Sequence, residues 1–255
     1  MMRLIPLTQA LLRSRARELK VYLRFLQIAL EKDALISAAD GRRQLPLDKA
    51  LTHTLKANVS LLLYSVMEAC MVQLLDEMHD TIGMNCQGID QLNAQLMSMV
   101  ARHVQANTTA MTQSKIRSPL HEYLFQVWLN DWQDSTQREK REAGLSGSVD
   151  GLAIFNQLRR FGVFTADQKK PPSRLTHSAL QTTKGRRNQL AHGELSFSEL
   201  GQGLAFEELR QDVLAVFRTL RRVASEVNAY LQDRRYLAAP IALAALVPLE
   251  AAIDA

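Results

Sequence analysis

The run Arg187-Asn188-Gln189-Leu190-Ala191-His192-Gly193 holds the residue types best suited to chemistry. An imidazole moves protons near neutral pH. A guanidinium keeps its charge and grips phosphate oxygens with a planar fork. Together they suit metal-free cleavage of RNA, in which the 2′-hydroxyl is activated, charge on the phosphoryl oxygens is held, and the leaving 5′-oxygen is protonated. At about 100° per residue, positions five apart diverge by roughly 140°, whereas Asn188 and His192, four apart, share a helix face. Asn188 can therefore hold the imidazole or contact a phosphate. Arg187 reaches the same place by wrapping round the helix, by loosening of the helix at Gly193, or through a two-fold dimer in which each chain lends an Arg and a His to one cleft. On spacing alone, the same pair is also what a helix C-terminus favours for its dipole.

Lys184 and Arg186 add positive charge beside the run and are candidate contacts for an RNA backbone. Glu68 stands among apolar neighbours in a strongly periodic stretch. It is either a hydrogen-bonded acid or the residue that orients an active-site Arg. Trp128 and Trp132, four apart, suit core packing better than base stacking. No Gly-rich phosphate loop ending in Lys and Ser or Thr is present, which argues against nucleotide hydrolysis. His53, His79, His103, His121 and His177 lack close ligand spacing, so no metal and no cofactor is expected. The formal net charge of +5 permits a polyanionic partner without requiring one.

Positioning these groups falls to helices. Apolar residues recur three and four apart, Gly and Pro are sparse, and no stretch sustains a period of two. Helices are expected at Leu11 to Lys32, Leu47 to Met78, Ile89 to Asn107, Leu120 to Trp132, Asp150 to Phe161, Arg174 to His192 and Phe206 to Leu231. The strongest carries the stripe Leu55, Val59, Leu62, Val66, Cys70, Leu74 and Met78, with Leu61, Tyr64, Glu68, Val72 and Leu75 beside it. In the fourth, Leu120, Leu124, Val127 and Trp128 are expected to face inward. Asp40-Gly41 reads as a turn, Gly162 and Gly193 as helix stops, and Ser173 as the N-cap of the motif helix. Thr108 to Ser118, Gln133 to Ser148 and Glu194 to Gly203 read as loops.

Cys70 and Cys86 fit neither a zinc spacing nor a disulfide scaffold, and the start of the chain has no clean signal-peptide core. A cytoplasmic setting is expected. Leu237 to Leu249 is apolar but broken by Pro240 and Pro248, and too short to span a bilayer, so no membrane is expected and the tail reads as a docking arm.

Arg187 to Gly193, continuing as Glu194-Leu195-Ser196-Phe197-Ser198-Glu199-Leu200-Gly201, resembles the R-x4-6-H signature and following loop of the bacterial MAE-like branch of the HEPN superfamily. Lys56-Ala57-Asn58 with Leu61 to Tyr64 and Glu68 is similar to that branch's early helix. Ser146 to Asp150 with Phe161-Gly162 is similar to its middle segment. The resemblance covers roughly residues 50 to 236. It divides the chain into an N-terminal helical extension at 1–45, a HEPN-like domain at 46–236 and an apolar tail at 237–255.

The resemblance implies an all-α, up-and-down helical bundle, usually a homodimer, that cuts RNA without metal and serves as a toxin or antiphage effector. Carried over by position, Arg187 is the phosphate-binding catalytic residue, His192 the acid/base and Asn188 the polar residue after the Arg. The competing reading is a non-catalytic helical subunit that binds RNA or protein within a defence or toxin-antitoxin complex. An antitoxin or defence-complex partner is compatible with either.

Overall fold

Helix α2, Lys49–Asn85, starts where the Asp48 side chain accepts the Leu51 N–H at 2.8 Å, the usual N-cap bond. It overruns its expected end at Met78 because the apolar series continues at Ile82, which is fully buried. Burial extends round most of its circumference and includes Val59, Leu63, Tyr64, Val66, Met71, Val72, Leu75 and Met78. Two adjacent lines were therefore too narrow an expectation, since Leu63, Met67 and Met71 are buried outside both: a helix apolar on most sides has to be enclosed. Leu62 departs from the expected stripe and is 40% exposed. By length and composition alone α2 could cross a membrane, but 61% of its apolar window is buried among the other helices, as in a core helix.

The computed structural model describes residues 4–31, 34–42, 44–106, 120–136, 138–140 and 148–238. Helix α1, Pro6–Ala29, begins five residues ahead of the expected Leu11, with Pro at its first position. Its N-cap residue offers no side-chain bond. Glu77 of α2 supplies the cap instead, accepting the Leu7 and Thr8 N–H groups at 2.7 and 2.9 Å and the Thr8 hydroxyl at 2.6 Å. Ile5, Leu12, Leu19 and Leu26 enter the same core as α2, and the Tyr22 hydroxyl donates to the Leu55 carbonyl at 2.8 Å. The chain then makes a short antiparallel hairpin, β1 at Leu35–Ser37 and β2 at Gln44–Pro46, turning through Asp40 and Gly41. Sequence periodicity missed it because all its strand residues are exposed, so no buried face imposes an alternation.

Beyond α2, a short 3-10 turn at Ile89–Gln91 leads to α3, Ala94–Ala106, followed by α4, Leu120–Asp134, and α5, Gly151–Phe161. Asp150 caps α5 through the Ala153 N–H at 2.8 Å, and Gly162 closes it in the left-handed region. The last helix, α8, is Phe206–Gln232, with Leu209, Val213, Val216, Leu220, Val223 and Val227 buried as expected. Asn93 ties the two ends of this half together, donating to the Arg235 carbonyl at 2.8 Å while accepting the Leu96 N–H at 2.8 Å. The architecture is an all-α bundle with one small hairpin among the described residues. The expected Thr108–Ser118 loop and the tail from residue 239 lie outside the described residues.

In α4 Trp128 is buried as expected, but the rest of the inward face is set about one position on: Phe125, Leu129 and Trp132 are buried while Leu120 is 55% exposed. The reason is His79, which stacks on Trp132 with ring centroids 4.1 Å apart and lies 4.7 Å from Trp128. Both tryptophans therefore serve the core. Burial lowers the His79 pKa to about 3, and its Nδ1 is 2.7 Å from the Leu75 carbonyl. The unfolded chain protonates this imidazole below about pH 6.5, whereas the folded chain resists until about 3. The neutral imidazole's contribution is therefore full above the unfolded value and declines as pH falls through that window. Denaturant midpoints measured at pH 7 and pH 5 should show an acid loss of about 2 kcal/mol that His79→Phe largely removes. Parallel losses in the two proteins would refute this assignment.

Candidate functional site

The motif helix starts later than expected. Ser173 opens a 3-10 turn, Ser173–Leu175, and the cap of helix α6, Ser178–Ala191, is His177, whose Nδ1 accepts the Ala179 N–H at 3.1 Å. The pair Pro171-Pro172 just upstream sets extended backbone, which delays the first full helical turn. At the other end His192 is the C-cap, its N–H bonded to the Asn188 carbonyl at 2.9 Å. Gly193 follows at φ 70°, a left-handed conformation that suits glycine, and lets the Glu194 N–H return to the Gln189 carbonyl at 2.9 Å.

The segment after the motif is a short helix, α7, Phe197–Gln202, where a loop was expected. Its signal was present as Ser196-x-x-Glu199, a capping box with both reciprocal bonds formed. Gly201 brings α7 onto α2 so closely that a Cβ there would sit 1.8 Å from the His53 carbonyl oxygen. Beside this contact the buried Lys56 donates to the Leu204 carbonyl at 2.6 Å, and burial lowers its pKa. The end of α6 is thus held in place from both sides of the chain.

On this frame the candidate residues separate. The His192 imidazole is exposed on the outer end of α6 and makes no hydrogen bond or ion pair among the described residues. Asn188 does not hold that imidazole; its side-chain oxygen accepts from Arg187 Nη1 at 3.1 Å. Arg187 crosses to α2, where its guanidinium carbon lies 4.9 Å from the centre of the Tyr64 ring. The Tyr64 hydroxyl accepts the Val149 N–H at 3.1 Å, and Glu68 stands one turn further along α2. Burial is the largest influence raising the phenol pKa, Glu68 adds to it, and the Val149 N–H and Arg187 oppose it. Tyr64 was the residue sequence reasoning overlooked. Its place one turn before Glu68 put both on one face, but an aromatic at helical spacing reads as core.

Arg186 corrects an expectation. It is 8% exposed and binds Asp212 of α8 at 2.7 Å together with Glu208, so it is a structural cation without a face for RNA. The cause is helical phase: Ala179, Leu180, Thr183 and Arg186 form the buried side of α6. Lys184 is also engaged, donating to Asp150 at 2.6 Å. Burial is the largest influence on the Asp150 carboxyl and raises its pKa, but the Lys184 and Ala153 hydrogen bonds outweigh it and leave the group below the ordinary carboxylate range.

A family model described as MAE_28990-like HEPN matches residues 9–236. The chain belongs to this HEPN family. HEPN domains are nuclease-like, RNA-related helical domains, and the helical bundle described above fits that family. The match begins inside α1, so it takes in the helix that the motif resemblance left outside. No curated protein and no solved structure matches the chain.

This HEPN chain also has a cavity of about 1370 Å³ between α3, α4 and α5, bordered by Arg102, His103, Asp131, Trp128 and Arg159. Neither Arg187 nor His192 lines it; Arg187 to Leu190 are half-buried and Ala191 to Gly193 exposed. If Arg186 is structural, Arg186→Ala should cost roughly 2–4 kcal/mol in urea unfolding, because two carboxylates lose their partner. Arg187→Ala, on the half-buried side, should cost less; the reverse order would overturn the division between them. Gly201→Ala should lower stability too, since the α7 backbone must retreat from His53.

Proposed function

We propose that this HEPN chain is a metal-independent endoribonuclease acting through Arg187, Asn188 and His192. The observation that carries the proposal is their placement in a chain of this family: a cation held at the surface end of α6, and one turn away an imidazole open to solvent. His192 as base takes the proton of the 2′-hydroxyl, whose oxygen attacks the neighbouring phosphorus. The bond to the 5′-oxygen then breaks, and that oxygen receives a proton from an imidazolium. The products are a 2′,3′-cyclic phosphate and a free 5′-hydroxyl, so atoms and charge balance without a cofactor. Arg187 binds the phosphoryl oxygens while Asn188 restrains the guanidinium.

One imidazole cannot be base and acid in a single step without an intervening proton exchange. A homodimer with two copies of His192 in one cleft meets that need and fits the exposed position of the side chain. In this reading the protein acts on cytoplasmic RNA as a toxin or antiphage effector, under the control of an antitoxin or defence-complex partner.

A non-catalytic RNA- or protein-binding subunit is the second reading. It is favoured by one observation: among the described residues nothing orients His192. Purified protein incubated with total RNA in EDTA separates the two. Cleavage is expected to yield 2′,3′-cyclic phosphate ends, and to fall by at least about 10²-fold in His192→Ala and in Arg187→Ala with the fold retained. Equal cleavage by wild type and His192→Ala would exclude the catalytic reading. Binding that depends on salt and Arg187 but is indifferent to His192 would establish the second.

A further inference from the structure

We infer that Tyr64 is the positioning residue of the Arg187 site, a role that rests on the reading of Arg187 as the phosphate-binding group. An arginine side chain has many rotamers, and in solvent its fork sweeps many directions. Tyr64 removes much of that freedom. Its ring sits under the guanidinium at 4.9 Å, and the ring's negative face attracts a cation. Tyr64 is 3% exposed and its hydroxyl accepts the Val149 N–H at 3.1 Å, so the platform is itself fixed.

Val149 adds a brace to α6. The next residue, Asp150, caps α5 and binds Lys184 at 2.6 Å, three residues before Arg187. Val149 and Asp150 thus hold the ring from one side and the helix bearing Arg187 from the other. The guanidinium donates one hydrogen bond among the described residues, to Asn188, leaving other N–H groups of the fork for phosphate.

The test reads Arg187 directly. In ¹⁵N-labelled full-length protein, the Arg187 Nε–Hε signal, assigned through Arg187→Lys, should be shifted upfield by the ring. It should keep that shift in Tyr64→Phe and move to the position of free arginine in Tyr64→Leu. RNA cleavage by Tyr64→Leu should lose about tenfold in kcat with the shape of the pH profile unchanged, since His192 is untouched.

A signal at the free-arginine position in wild type, or one unmoved by Tyr64→Leu, overturns the inference. So does a moved signal with kcat intact. Should Tyr64→Leu fail to fold, cross-relaxation in wild type between Arg187 Hε and the Tyr64 ring protons decides: its presence supports the seat and its absence overturns it. Because these signals need no RNA, a protein that cuts nothing would sink the nuclease reading while leaving the seat of Arg187 measurable.

Discussion

The enclosure of α2 is the constraint on which the rest of this structure depends. A helix of 37 residues with apolar side chains round most of its circumference has to be covered on most sides. Helix α1 covers one flank, α6 and α7 another, and α8 and α4 the remainder. Each contact also carries polar work that burial would otherwise leave undone. Glu77 satisfies the open N-terminus of α1, and Lys56 meets the carbonyl of Leu204 where the chain turns towards α8. Both charged groups sit in the interior of α2's surroundings, and both are tied to backbone.

The same enclosure divides the basic residues of α6 by direction. Arg186 faces α8 and finds Asp212 and Glu208 there. Arg187, one residue on and turned by about 100°, faces α2 and finds an aromatic ring in place of a carboxylate. A buried arginine between two acids is a strut, whereas an arginine seated on a ring keeps donors for a ligand. Two identical side chains, adjacent in sequence, thereby acquire different physical roles.

The α7 segment shows how a surface site is made firm without being buried. Its capping box stabilises a helix too short to persist alone, and Gly201 lets it lie against the backbone of α2. The chain leaving His192 is therefore anchored within a few residues, while the imidazole stays in water.

By itself the sequence determined the helical class, the position of α8, the stops at Gly162 and Gly193, and the motif whose wider context named the family. These depend on local rules, namely the 3.6-residue period and the conformational freedom of glycine, which act within a few residues. Tertiary structure alone decided the rest. It capped the early start of α1 with Glu77 of α2, set the phase of α4 through His79, and ordered a hairpin with no buried face. It also took Arg186 out of the candidate site, turned Asn188 towards Arg187, and brought in Tyr64. Those outcomes depend on which surface each helix meets, and contacts such as His79 with Trp132 or Arg187 with Tyr64 join residues far apart in sequence, where no local period can report them.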